Sequence, residues 1–296
     1  MQRFLPILLL LTLLPLQAQL KIGNYPDYNQ PPPIQPAETE KEAEKEARRV
    51  YSGDPVEVDA LCQNDTLLQA GLSCTPRSPC RLELELIWAQ EVGDRLLVGG
   101  SVRTAEGALE SILLASDDGG GSWTEPVERT PAATLDAAQF VDNLIGWVGG
   151  QRAVDAAVSE PFLLYTDDGG NTFSTRPVRS GDESEEGFIL EMQFDAEDHG
   201  YLILERPNAA VDPFALFETY NGGRSWSIRQ IVAERPAIPG ARRRTRAAAA
   251  GPELRLTTTA DGNIALERRS GADWARLARF RIPLGSCPAP ALSSGN

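Results

Sequence analysis

The sequence predicts an all-β fold, a small β-propeller of about four four-stranded blades, with room for a fifth. Three observations carry this expectation. An octad running from Ser116 to Trp123 (SDDGGGSW) recurs from Thr166 to Phe173 (TDDGGNTF) and again from Thr219 to Trp226 (TYNGGRSW). The ring residues that close the octads stand at 123, 173 and 226, which are 50 and 53 residues apart. That period accommodates four strands and the turns between them. A short apolar run precedes every copy: Ile112 to Ala115, Phe162 to Tyr165 and Phe214 to Phe217.

In chain order, residues 1–18 read as a secretory signal peptide. Arg3 precedes an apolar run from Phe4 to Leu16, and Ala18 offers a small residue for cleavage. The run is shorter than the ~20 apolar residues of a membrane-spanning helix. Residues 19–50 follow as a Pro-rich tether and a short charged helix, in which Glu40, Glu44 and Arg48 are spaced for one i,i+4 pairing. The propeller is expected over 51–288 and a flexible tail over 289–296. Four cysteines in an exported chain point to disulfides. Three pairings are open, and the best suited couples Cys74 with Cys80 around a small Pro-containing loop and Cys62 with Cys287 across the whole folded region. Four reduced thiols, or a zinc site without two CxxC knuckles, are the alternatives. Leu82, Leu84, Leu86 and Trp88 alternate with Glu83, Glu85 and Ile87, the period of a strand with one buried face. Repeat units are expected at 82–130, 136–180, 187–233 and 250–283. The last ends in a decayed octad of which Gly271 and Trp274 survive, and residues 51–80 are the material for a fifth blade.

Each octad suits the turn of a β-hairpin. Gly119-Gly120, Gly169-Gly170 and Gly222-Gly223 supply backbone angles that other residues resist. Asp118, Asp168 and Asn221 can accept loop N–H groups, and the hydroxyls of Ser116, Thr166 and Thr219 add local bonds. Trp123, Phe173 and Trp226 can fold back over the turn and anchor it. Because Asn221 fills the role without charge, the carboxylates need not be acids in a reaction.

The octads resemble the Asp-box, or bacterial neuraminidase repeat, of β-propellers. A second motif, Phe140 to Gly146 followed by Trp147 and Phe194 to Gly200 followed by Tyr201, precedes two of them. Together the motifs resemble the photosystem II assembly-factor-like propellers over about residues 82–284. The resemblance implies the architecture. The known members have more blades, and these repeats contain no arginine-rich patch suited to a photosynthetic partner.

Function is less legible. With 28 Lys and Arg against 42 Asp and Glu, the net charge of −14 disfavours a nucleic-acid partner. His199 is the single histidine, which excludes His-cluster metal sites and disfavours Ser-His-Asp and Cys-His nucleophile systems. It reads as a solvated loop residue. Phe280-Arg281-Ile282-Pro283 matches a sialidase signature whose arginine grips a carboxylate, but here it follows the octads, and the other sialidase residues cannot be assembled. Asp142, Glu191, Asp195 and Glu205 are the acids open to a two-carboxylate glycosidase. Asp117-Asp118 and Asp167-Asp168 fall short of the ligand count of a calcium loop. Arg242, Arg243, Arg244 and Arg246 form the strongest basic cluster, a surface loop or a dock for an acidic partner or anionic surface. The expectation is an exported, non-catalytic interaction scaffold without cofactor, metal or membrane span. The alternative is a carbohydrate-active enzyme, sialidase-like or another glycoside hydrolase.

Overall fold

The computed structural model describes residues 49–62, 64–75, 77–154, 158–240 and 253–287. The expected signal peptide, the tether and charged helix up to residue 48, the arginine cluster 242–246 and the tail 289–296 lie outside the described residues. The described chain begins with β1 (Val50–Ser52), β2 (Val56–Glu57), helix α1 (Asn64–Gln69) and β3 (Cys80–Arg81). Val50 is therefore strand, one residue inside the span expected to be tether and helix. These early strands make no fifth four-stranded sheet: β1 and β2 each add to the edge of a larger sheet, and β3 pairs with a later strand in a separate two-stranded sheet.

Four sheets follow at the expected units. The first comprises β4 (Glu83–Val92), β5 (Arg95–Arg103), β6 (Ala108–Ser116) and β7 (Ser122–Thr124), with β1 outside β7. The second comprises β8 (Ala133–Phe140), β9 (Gly146–Ala153), β10 (Ser159–Thr166) and β11 (Ser174–Pro177). A small hairpin, β12 (Arg179–Ser180) and β13 (Glu183–Ser184), leads to the third: β14 (Phe188–Phe194), β15 (Gly200–Glu205), β16 (Phe214–Thr219) and β17 (Ser227–Val232). The fourth contains β18 (Leu254–Thr258), β19 (Ile264–Ser270) and β20 (Asp273–Arg281), with β2 parallel to β20 at its edge. Finally β21 (Ser286–Cys287) pairs with β3.

The apolar runs before the octads are continuous because both faces of each middle strand are covered. Successive side chains point to opposite faces. Ile112 and Leu114 thus pack toward the fourth sheet, where they meet Leu266 and Phe280. Leu113 and Ala115 pack toward the second. In β10, Phe162 and Leu164 face the first sheet, while Leu163 and Tyr165 face the third. The described core clusters join the sheets in the order fourth, first, second, third, and none of them joins the third to the fourth.

Trp88 departs from the expected stripe. The register slips between Leu86 and Trp88, so Ile87 bulges out at 45% exposure. An extra residue reverses the facing of all that follow. Leu86 packs toward the fourth sheet, and Trp88 packs toward the second, where its indole N–H donates to Leu135 O at 3.1 Å. The first strands of the second and third sheets slip at corresponding places, between Leu135 and Ala137 and between Ile189 and Glu191. Glycine opposite the first slip is required: a Cβ on Gly99 would lie 2.3 Å from the Trp88 ring, and one on Gly100 1.9 Å from Glu85 O.

The fourth sheet is not a fourth copy. Gly271 and Trp274 belong to the hairpin between its second and third strands, whereas the octads join third to fourth. Its direction also differs. Arg268, level with the start of β18, reaches Glu91 near the end of β4 at 2.9 Å, while the β18–β19 turn shares a groove with Glu83 and Glu85 at the start of β4. β18 therefore runs against β4. By contrast, β4 and β8 run together, since Val92 and Phe140 at their ends share a cluster.

The two ends of the folded region are fastened together. Cys62 is bonded to Cys287 and Cys74 to Cys80. Arg129, almost wholly buried, pairs with the equally buried Glu110 at 2.5 Å and with Glu125 at 2.7 Å. It also donates to Asp59 O at 2.7 Å, and Glu110 accepts the N–H of Leu61 at 3.0 Å. This network ties the segment after β2 to the first sheet.

Candidate functional site

Among the described residues, and besides the buried Arg129 network, polar groups come together in the octads, in a groove between the first and fourth sheets, and in a cluster on the third sheet.

In the first octad, Asp118 Oδ1 accepts from the Ser122 N–H and the Ser116 hydroxyl, both at 2.9 Å, and Oδ2 accepts from the Ser122 hydroxyl at 2.7 Å. The Ser116 hydroxyl oxygen accepts the Gly120 N–H at 2.9 Å, and the Trp123 indole donates to Gly120 O at 3.1 Å. Asp168 repeats this with the Thr166 hydroxyl at 2.8 Å, the Thr172 N–H at 2.9 Å and the Thr172 hydroxyl at 2.7 Å. In the third octad, Asn221 Oδ1 accepts from Thr219 and from the Ser225 N–H, while its amide donates to the Ser225 hydroxyl at 2.8 Å. One hydroxyl reverses its role and the geometry survives. The Ser122 bonds hold the Asp118 carboxyl well below the ordinary range, so it stays ionised as a turn acceptor. Gly119, Gly120, Gly169, Gly170, Gly222 and Gly223 all have positive φ. Trp123 and Trp226 are buried and Phe173 is half-buried. Asp117, the other acid of the calcium alternative, accepts from the Nε and Nη2 of Arg95 at 2.7 and 2.8 Å.

Each octad rests on the preceding sheet. Gly120 lies against Leu277, Gly170 against Leu97 and Gly223 against Leu163. Arg95 donates to Gly170 O at 2.7 Å. Gly222 O accepts from the Trp147 indole at 3.0 Å and from Arg176, whose guanidinium lies 3.4 Å above the Tyr165 ring.

The groove between the first and fourth sheets encloses about 770 Å³ and is lined by Glu83, Glu85, Arg103, Asp261, Asn263 and Arg281 among others. Its charges are largely paired. Glu85 meets Arg103 at 2.7 Å, Asp261 meets Arg279 at 3.4 Å, and Arg281 is held by Glu57. Phe280 is fully buried, edge-on to Trp123 at 5.0 Å, so Phe280 and Arg281 alternate as strand residues.

The third cluster corrects the reading of His199 as a solvated loop residue. His199 Nδ1 lies 2.6 Å from Asp195, and Nε2 lies 3.0 Å from Glu218, whose side chain is only 3% exposed. Two carboxylates can only accept, so both contacts are hydrogen bonds only when the imidazole carries both protons. The Glu218 bond first, then that to Asp195, raise the His199 pKa against the effect of burial. Burial pushes the Glu218 carboxyl up, but bonds from His199, Tyr201 and Tyr220 and the charge of Arg229 outweigh it and bring it down to about 2. The Tyr201 phenol is pushed up to about 12 by the same carboxylate. The register Tyr201↔Glu218 explains the assembly, which joins a turn, two strands and the strand after the octad. Nothing local in the sequence marks it, although the Asp195–His199 spacing places both in one turn.

The remaining acids are separate. Asp142 accepts the N–H groups of Leu144 and Ile145 at 2.8 and 2.7 Å, Glu191 pairs with Arg235 at 2.8 Å, and Glu205 lies in β15 opposite Phe188.

No protein-family model matches this chain, and no curated protein matches it. Among solved structures it is similar to the GH74 xyloglucanase from Xanthomonas campestris, at 13% identity over 66% of this chain and 30% of that chain, with a TM-score of 0.28. The chain thus spans less than a third of that protein's length.

Proposed function

We infer that this protein is an exported, non-catalytic propeller-type scaffold that binds a protein partner in the cell envelope or outside the cell. On this reading the octads are Asp-boxes used as structural knuckles, and residues 1–18 direct export to the periplasm or medium. The two disulfides agree with an oxidising compartment. One observation carries the non-catalytic part: the octad side chains Asp118, Asp168 and Asn221 are consumed by their own turns. Purification of the full-length protein from its native envelope after chemical cross-linking tests the reading. Recovery of one stoichiometric protein partner is expected, and a chain that cross-links to nothing overturns it.

The groove supports a second reading, a carbohydrate-active propeller, because polar side chains line a cleft of sugar-binding size. Turnover of fluorogenic sialosides or xylosides that is lost in Glu83→Gln or Asp261→Asn would establish that reading in place of the first.

A further inference from the structure

The third sheet repeats, at corresponding positions, the face on which the second sheet seats an octad. In each sheet the residue before the octad's first hydroxyl pairs across to a residue of the second strand: Ala115 with Leu97, Tyr165 with Trp147, and Glu218 with Tyr201. Arg176 stands ten residues after Thr166, and Arg229 ten residues after Thr219. On the second sheet Arg176 rides on Tyr165, and with Trp147 it donates to the carbonyl of Gly222 in the next octad. On the third sheet Arg229 pairs with Glu218, which Tyr201 and Tyr220 also contact. Alternation settles the facing. Ala215 and Phe217 pack toward the second sheet, so Leu216 and Glu218 face onward.

Among the described residues no octad covers this onward face, and the fourth sheet carries none. Ile238 fills the apolar part over Ile203 and Leu216. The donor-bearing part stays open: Tyr220 is 63% exposed, and the Arg229 side chain is 52% exposed.

We propose that the onward face of the third sheet is a docking seat for the glycine turn of a β-hairpin supplied by another protein, with the guanidinium N–H groups of Arg229 that Glu218 does not engage donating to a turn carbonyl as Arg176 does to Gly222. The occupant follows from the chain itself, since the corresponding faces of the first and second sheets each hold a glycine turn, with a cation on its carbonyl. The buried Glu218 carboxylate distinguishes this seat. It accepts from the two phenols and holds Arg229 by its Nε, so the seat offers the remaining guanidinium N–H groups rather than an aromatic floor. A face of this polarity can stay in water until a partner arrives, which an exposed Trp-Tyr pair would not do without a risk of association.

This inference rests on the scaffold reading and specifies its surface. The test uses the full chain and a cyclised hairpin peptide with the sequence of residues 214–232, an octad turn known here to seat on such a face. Binding is followed by NMR titration. Saturable shifts at the Arg229 guanidinium and at Tyr201 and Tyr220 are expected. Arg229→Ala should weaken binding about tenfold, the worth of one charged hydrogen bond. Ile231→Ala, on the face toward the second sheet, should leave it unchanged. Absent binding, or binding indifferent to Arg229→Ala, overturns the seat. If the native partner recovered by cross-linking is retained by the Arg229→Ala protein, the seat fails while the scaffold reading stands.

Discussion

Replacing Asp168 separates a structural octad from a catalytic one. Its carboxylate accepts four hydrogen bonds: the Thr166 and Thr172 hydroxyls at 2.8 and 2.7 Å, and the Asn171 and Thr172 N–H groups, both at 2.9 Å. Asp168→Ala leaves all four donors without this acceptor, but water can reach the turn, since Asn171 and Thr172 are exposed. A full charge-assisted bond is worth about 1.5–3 kcal/mol, and solvent access reduces the sum for the site to about 2–3 kcal/mol. Asp168→Asn should cost about 1 kcal/mol or less, because the third octad already works with Asn221 once one hydroxyl turns from donor to acceptor. For a domain of this size the alanine loss corresponds to a fall of about 5–10 °C in Tm, and the asparagine loss to about 2–4 °C. Calorimetry of the three proteins under oxidising conditions provides the measurement. Equal losses for the two variants would refute the hydrogen-bond account, because the asparagine oxygen would then contribute nothing that alanine lacks.

Three further perturbations probe other parts of the molecule. The doubly bonded His199 has a raised folded pKa, so its contribution is fully present below the unfolded value near 6.5 and is lost as pH rises through the folded value. The stability advantage of the wild type over His199→Gln, about 1 kcal/mol after allowance for partial exposure, should therefore shrink between pH 6 and pH 9 in denaturant titrations; a pH-independent difference counts against the imidazolium. Gly99→Ala should cost about 1–3 kcal/mol by pressing on Trp88, and Gly107→Ala, which meets nothing within 4 Å, should cost far less; similar Tm values would sink the close-approach argument. Removing the Cys62–Cys287 bond, which spans 225 residues, should cost about 5 kcal/mol on chain entropy, against about 2 kcal/mol for the six-residue Cys74–Cys80 bond, and the reverse order in urea unfolding would contradict it.

What could be read in the sequence was what depends on near neighbours. The octad bonds run between residues two to four apart, so the spacing of Asp118, Ser116 and Ser122 already contains the turn. The apolar runs placed the middle strands, and the cysteine arithmetic placed the bonds. What escaped depends on register and topology. A bulge moves Trp88 to the other face, and its trace is the Gly99-Gly100 pair opposite, which reads equally well as a strand without side chains. Gly271 and Trp274 mimic an octad end, yet the fourth sheet takes its last strand from the N-terminal segment, so its hairpins cannot be numbered from local sequence. The His199 cluster needs Asp195, Tyr201, Glu218 and Arg229 aligned across strands. The buried Arg129 network likewise draws Tyr51, Glu110 and Glu125 from three places in the chain.

The three repeats carry one position through a graded change of chemistry, and the change accounts for how the sheets differ. At the paired site beside each octad, Leu97 and Ala115 give way to Trp147 and Tyr165, and then to Tyr201 and Glu218. The small aliphatic pair lets the next octad approach closely, with Arg95 reaching round to its carbonyl. The aromatic pair fills more volume and brings its own donor, the Trp147 indole, and its own floor for Arg176. The last pair buries a carboxylate in place of the ring, and the Tyr201 phenol donates to it rather than outward. The ionised carboxylate is offset by histidine, tyrosine and arginine around it, while the apolar part of the face, Ile203 and Leu216, is covered by Ile238. The onward face of the third sheet therefore differs in chemistry from the two faces on which the described octads rest.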